Sequence, residues 1–374
     1  MTNSPSLFID VHVLQTVPPS NLNRDDTGTP KSAWYGGVQR ARVSSQAWKK
    51  ATRADFKAHL DAADLAHRTK WVIDQLTERL QRLDPSLADD AAYARAQAVL
   101  KAVGFQKFEK PRTGERKDQE LLTEYLAFFS TRQLDRLAEL AAATDKPSKK
   151  DAQTAADTDH GIEIALFGRM VANAPDINVD AACQVAHAIS THAATVEHDY
   201  YTAVDDFAPD DNTGAGMLGT IEYTSATLYR YATIAMDRLT ENLGTSESAV
   251  AAARAFIDAF VRSMPTGKQN TFGNRTPVDA VVVQVRRGQP INLVGAFEDA
   301  IVADSGYVEP SARALAEYAE QVWAAYDRPL ASFVVRVSPK ASALDGLGEP
   351  TTLQELGAGV ANAVHVESGS AGDA

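Results

Sequence analysis

An α+β fold is what this 374-residue sequence predicts, on three observations. Segments with strand-like alternation stand near both ends, LFIDVHVLQTV at 7–17 and DAVVVQVRR at 279–287. A stretch from about 67 to 142 keeps helical periodicity. Stripped of insertions, the segments follow the order strand, helix, strand, strand, helix, strand, which is the ferredoxin-like (RRM-like) pattern.

Each element has its own signal. In the first strand Phe8, Asp10 and His12 alternate with Ile9, Val11 and Val13. Residues 18–37 are rich in Pro, Gly, Asn and Asp and read as a loop. A helix follows from Ser44 or Ser45, either of which can cap it. On its wheel Gln46, Lys49, Lys50, Arg53 and Lys57 share one side, with Trp48 and Ala51 opposite. The segment 143–159, poor in apolar residues, reads as a mobile linker. GIEIALFGRM (161–170) reads as a strand and VDAACQVAHAISTHAA (179–194) as a helix. HDYYTAV and TIEYTSATLYRYATIAM flank an acidic, Gly-rich tip at 205–219 and form a projecting hairpin-like element. A helix at 246–264 precedes the strand at 279–287; further helices are expected around 291–302 and 309–326, and a strand at 331–337. These readings divide the chain into a core platform (1–60, 161–199 and 219–364), a helical insertion with its linker (61–160), a projection (200–218) and a frayed tail (365–374).

Composition narrows the functional classes. Formal net charge is −12, yet residues 1–60 and 262–287 are each +4, leaving −20 on the rest. Between Val38 and Lys57 six basic residues face one acid, Asp55. Charge gathered against the overall balance points to an anionic partner, and an acidic body argues against nonspecific DNA coating. A single cysteine, Cys183, suits a reducing cytoplasm. No signal peptide or membrane span is expected.

Catalytic and metal motifs are weak. His187 and His192 lie five apart on the expected helix and do not converge, so neither they nor His198 predict a metal site. Phosphate-binding and nucleophile-elbow glycine motifs are absent, and the adjacent pairs Asp25–Asp26, Asp205–Asp206 and Asp210–Asp211 point apart. No cofactor is expected.

Nucleic-acid binding fits better. Arg40 and Arg42 alternate just ahead of the helix and point the same way, beside Ser44, Ser45 and Gln46 and the helix cations Lys49, Lys50 and Arg53. Lys268, Gln269, Asn270 and Arg275 form a second polar loop. Tyr200, Tyr201, Val204 and Leu218 on the projection are suited to wedge or stack against bases.

With these residues assembled, the sequence resembles the type I-E CRISPR Cascade backbone subunit (CasC type). The likeness runs through DVHVL, LNRDD, GGVQRARVSSQAWKKATR, IALFGRM, AHAISTH, YTAVDD, LGTIEYTSATLYRYA, ENLG, KQNTF and AFEDAI, in one order along nearly the whole chain. It implies a ferredoxin-like palm with helical fingers and a thumb, and copies stacked head to tail along CRISPR RNA. The guide would be presented in segments to target DNA. By the same resemblance Asn23, Arg24, Arg40, Arg42, Ser45, Gln46 and Lys49 hold the RNA backbone. Met170 and the thumb's Tyr201, Thr202, Val204 and Leu218 border a displaced base; Tyr201 stands where other members carry Phe. Implied partners are the large, small and end-capping Cascade subunits and the helicase-nuclease that the complex recruits; no enzymatic activity is implied. Two other classes stay open: a metal-dependent ribonuclease of the type III kind using Asp25 or Asp26, and a free-standing single-stranded RNA binder.

Overall fold

Fourteen residues of uninterrupted strand, β1 (Leu7–Ser20), form the spine of the main sheet. Its Val, Ile and Leu residues are buried on both faces, which fits a central strand. A computed structural model of the chain describes residues 6–110, 121–203 and 217–370. The chain divides into two compact units, one of residues 1–55, 185–233 and 253–374, the other of 56–184 and 234–252.

In the first unit β1 is followed by β2 (Ser32–Tyr35), β3 (Val38–Val43) and the helix α1 (Ser45–His59). Then come β4 (Ala188–Ser190), β5 (Glu197–Ala203), β6 (Met217–Ala235), α2 (Ser246–Arg262) and the single turn α3 (Gln269–Phe272). The unit ends with β7 (Ala280–Arg287), α4 (Val308–Ala325), β8 (Ala331–Arg336), β9 (Glu349–Pro350) and α5 (Leu353–Ser370). Strand order is β9-β8-β7-β1-β6-β4-β3-β2, with β5 paired to β6 outside that path. β1 and β7 are antiparallel from Leu7 opposite Arg287 to Leu14 opposite Ala280.

Alternation assigns the two faces. Leu14, Tyr229, Tyr231, Val282 and Val334 pack with Leu315, Ala319 and Trp323 of α4 and with Leu293 and Phe297. Gln15 and Arg230 turn the other way. There the Arg230 guanidinium lies 3.7 Å from the Trp48 ring centroid and 4.5 Å from that of Phe260, and donates to Gln15 Oε1 at 2.7 Å. Burial lowers its pKa to about 9.

The second unit packs helices Val72–Leu83, Asp89–Val103, Thr131–Ala143 and Lys149–Ala156 around Ile73, Leu76, Leu100, Phe105, Phe129 and Leu137. Ser130 and Gln133 close a capping box at the start of Thr131–Ala143. No helix among the described residues is long and apolar enough to cross a membrane.

Several elements differ from the sequence expectation. Residues 161–170, expected as a strand, hold the helix Ile162–Phe167, while 179–194, expected as a helix, hold β4 and the short strand Cys183–Val185. Short apolar runs carry no decisive period, so tertiary pairing settled both. β4 takes its ladder from Leu228 and Tyr229 on one side and from Arg42 and Val43 on the other. The expected linker at 143–159 contains the helix Lys149–Ala156, capped by Ser148 and anchored by buried Ala152 and Ala156. The expected loop at 18–37 contains β2, joined to β3 through Gly36 and Gly37 at φ 56° and 78°. Paired positive φ values are what a tight hairpin turn demands. The helix expected around 291–302 is a short 3₁₀ segment, Leu293–Phe297. The region 67–142 is not helical throughout: strands Ala66–Thr69 and Ala127–Ser130 pair at its base. The tail expected to fray from residue 365 continues as helix to Ser370.

Candidate nucleic-acid interface

The basic stripe is real helix surface. On α1 Trp48, Ala51 and Thr52 are buried, Lys49 and Arg53 are half-buried, and Gln46 and Lys50 are exposed. Ser44 caps the helix, its Oγ accepting from Ala47 N at 3.3 Å. No acid stands in the first turn. The N-terminal dipole therefore adds to the lysines and is not cancelled.

Asn23 ties a loop to this helix start. Its Oδ1 accepts from Ser44 N at 2.9 Å, and its backbone accepts from Lys31 N at 2.9 Å. The neighbouring Asn21 is buried and donates to the carbonyls of Gly28 and Glu222, each at 3.0 Å. A Cβ on Gly267 would run into the carbonyl oxygens of Asn21 and Leu22, so glycine lets the loop carrying Lys268 approach. Lys268 itself adopts φ 49°, which is uncommon for a residue with a side chain. The structure thus brings together the loop of Asn23 and exposed Arg24, the start of α1 with Ser45 and Gln46, and half-buried Lys268.

Arg42 belongs to the same unit. It donates through Nε to Ser32 O at 3.1 Å and meets His187 Nδ1 at 3.2 Å. Burial, then the charges of Arg42 and Lys31, lower the His187 pKa. Lys31 was missed in the sequence; a Gly-Gly turn centred on 36–37 would have placed it across from Arg42. A small open cleft lies beside these groups, with Val17, Ala41, Val43, Ala226 and Leu228 among its lining.

Arg40 is a correction. It is fully buried, and its guanidinium donates to the carbonyls of Tyr35 (3.2 Å), Ser190 (3.0 Å), Phe297 (2.9 Å) and Glu298 (3.2 Å). Each of its three nitrogens donates to backbone, so it joins β3, β4 and the 297–298 turn and is not a surface contact.

On the projecting ribbon β5 pairs with β6 from Glu197 opposite Tyr223 to Ala203 opposite Met217. Tyr200 is 63% exposed and Tyr201 37%. Consecutive residues occupy opposite faces, and a Cβ on Gly219 would collide with the Tyr201 ring, so Tyr201 packs across the ribbon while Tyr200 projects. Thr202 is exposed opposite Leu218. Val204 lies outside the described residues, as does the side chain of Leu218.

In the second unit Met170 is 84% exposed. Gly168, at φ 76°, has no space for a Cβ against Val179 O and Ala181 N. Arg169 turns inward to Asp157 (3.1 Å), Gln133 (3.2 Å) and Ile177 O (2.9 Å), which leaves Met170 outside.

The remaining titratable groups are dispersed. His192 stacks on Tyr307 with centroids 3.7 Å apart, and His198 lies 3.7 Å from Glu222. No group of three or more His, Cys, Asp or Glu among the described residues could hold a metal ion. Asp25 Oδ1 accepts from Thr27 N (2.9 Å), Thr27 Oγ1 (2.7 Å) and Thr29 N (3.0 Å), and these bonds, the Thr27 hydroxyl first, hold its pKa down.

The first unit thus carries a mixed sheet with a basic helix stripe, a polar loop cluster and a two-stranded ribbon. The chain belongs to the CT1975-like protein family, whose pattern matches residues 9–358. It is similar to a chain of a solved "CRISPR RNA-guided surveillance complex, pre-nicking", at 34% identity and a TM-score of 0.82 over 94% of this chain and 99% of that one. A chain of a second "CRISPR RNA-guided surveillance complex" is similar at 30% identity and a TM-score of 0.72, over the same shares. No curated protein matches the sequence.

Proposed function

We propose that this chain is the CRISPR RNA-binding backbone subunit of a type I-E Cascade complex, a scaffold without catalytic activity of its own. The observation that carries the reading is the α1 stripe, in which Gln46 and Lys50 face outward beside the loop of Asn23 and Arg24. Such groups contact phosphates and fix register without reading sequence. The central order β7-β1-β6-β4 supports a ferredoxin-like palm, with α1 and α2 as its two crossovers. Copies would stack head to tail, the ribbon of one reaching the next, and an unclosed heterologous contact repeats along a linear guide. The large, small and end-capping subunits and the helicase-nuclease would join that filament.

Titration of labelled guide RNA at several salt concentrations tests this. Lys50→Ala should weaken binding equally across guide sequences and lower the salt slope by about 0.7 per lost contact. An unchanged slope removes the stripe from the interface. The ribonuclease alternative predicts cleavage of bound RNA in magnesium or manganese that Asp25→Ala or Asp26→Ala abolishes. The scaffold reading predicts intact RNA, consistent with an Asp25 oxygen already occupied by loop donors.

A further inference from the structure

We propose that Trp34 is a base-stacking platform for single-stranded RNA at the open edge of the main sheet; the inference rests on the RNA-binding reading above. β2 is the terminal strand of the sheet, and Trp34 on it is 77% exposed. An exposed indole offers a broad, flat apolar face on a side chain with few rotatable bonds, which suits stacking.

The hairpin holding the ring is fixed on its other side. Tyr35 turns inward, its hydroxyl donating to Val294 O at 3.3 Å and its carbonyl accepting from Arg40 Nε at 3.2 Å. A Cβ on Gly36 would strike the Glu298 carbonyl, so the turn is seated against that segment. Alternation then leaves Trp34 facing out from a rigid support, which keeps the entropy cost of stacking low.

Its surroundings favour a planar ligand over a protein partner. Cross-strand register pairs Trp34 with Gln39 and Ser32 with Ala41, and Gln39 Nε2 donates to Ser32 Oγ at 3.0 Å. The turn beyond is Gly36–Gly37. One ring amid polar neighbours lacks the apolar core of a protein interface of about 800 Å² per partner. It suits one base at a time. Lys31 and Arg42 form the next backbone-paired position along the hairpin, and by alternation their side chains leave it on the Tyr35 face, opposite Trp34. On the Trp34 face, Ala41 and Val43 continue inward to the open cleft, leaving apolar floor beyond the ring.

Anisotropy titrations should compare two labelled oligomers of one length, an ordinary mixed-sequence oligoribonucleotide and an abasic ribose-phosphate chain. Wild type, Trp34→Leu and Trp34→Tyr are each measured, with thermal melting to confirm folding. Trp34→Leu should bind the ordinary oligomer about tenfold more weakly and the abasic chain unchanged, and Trp34→Tyr should stay within about twofold of wild type. Equal loss on both oligomers, or none on either, overturns the proposal. So does unchanged RNA affinity with failure to load a second copy on a longer RNA, which would make the ring a protein contact. A wild-type chain that binds neither oligomer instead overturns the RNA-binding reading, and this inference with it.

Discussion

Arg40 and Lys50 lie ten residues apart, and their side chains have opposite fates. Removing the Arg40 guanidinium strands four carbonyls inside the sheet unit. Arg40→Ala should therefore cost about 3 kcal/mol or more in urea denaturation, whereas Lys50→Ala should stay within about 0.5 kcal/mol. Sequence alternation placed Arg40 and Arg42 on one side correctly but could not tell that the 297–298 turn covers the first of them. Nor did any pattern mark Trp34, because an aromatic before a Gly-Gly turn reads equally well as core. A second residue-scale prediction concerns His12, buried with its Nδ1 2.9 Å from the Tyr229 hydroxyl. Burial, then the charge of Arg286, lowers its pKa from 6.5 to about 3. The unfolded chain takes up a proton first, so stability present above pH 6.5 declines as pH falls toward 3, by on the order of 5 kcal/mol in all. His12→Gln should flatten that decline in denaturation midpoints; an unchanged pH dependence would contradict it.

At the scale of elements, legibility followed length and period. β1, α1, α2, β7 and α4 each carry enough residues to declare a period, and each stands where the sequence indicated. β4 has three residues and exists because β6 and β3 offer it hydrogen bonds on both sides, which no local pattern records. The loop cluster was legible as polar segments but not as a cluster, since Gly267 permits a contact across more than two hundred positions. Gly267→Ala should push the Lys268 loop from Asn21 and Leu22 and lower the melting temperature by several degrees, about 1–3 kcal/mol for overpacking. RNA affinity should fall with it; a variant with wild-type melting and affinity would show that the approach is dispensable. Gly168 is a parallel case at Met170: its positive φ and the Val179 carbonyl both exclude a side chain, so Gly168→Ala should destabilise the second unit.

For the whole molecule, charge distribution is the feature that composition alone revealed. A chain of net charge −12 holds two segments of net positive balance, and the structure places Arg24, Lys50 and Lys268 from those segments in one unit. On the proposed scaffold reading, repulsion between acidic surfaces would keep free copies apart, and a polyanion that neutralises the basic segments should drive assembly. In the proposed scaffold, copies of the chain load serially along a guide. Mass photometry of the protein on guide RNAs of increasing length tests it most directly. Mass should climb in steps of one subunit, 40.2 kDa, as the guide lengthens, and each step should need an intact basic stripe. A single bound copy at every guide length would contradict it.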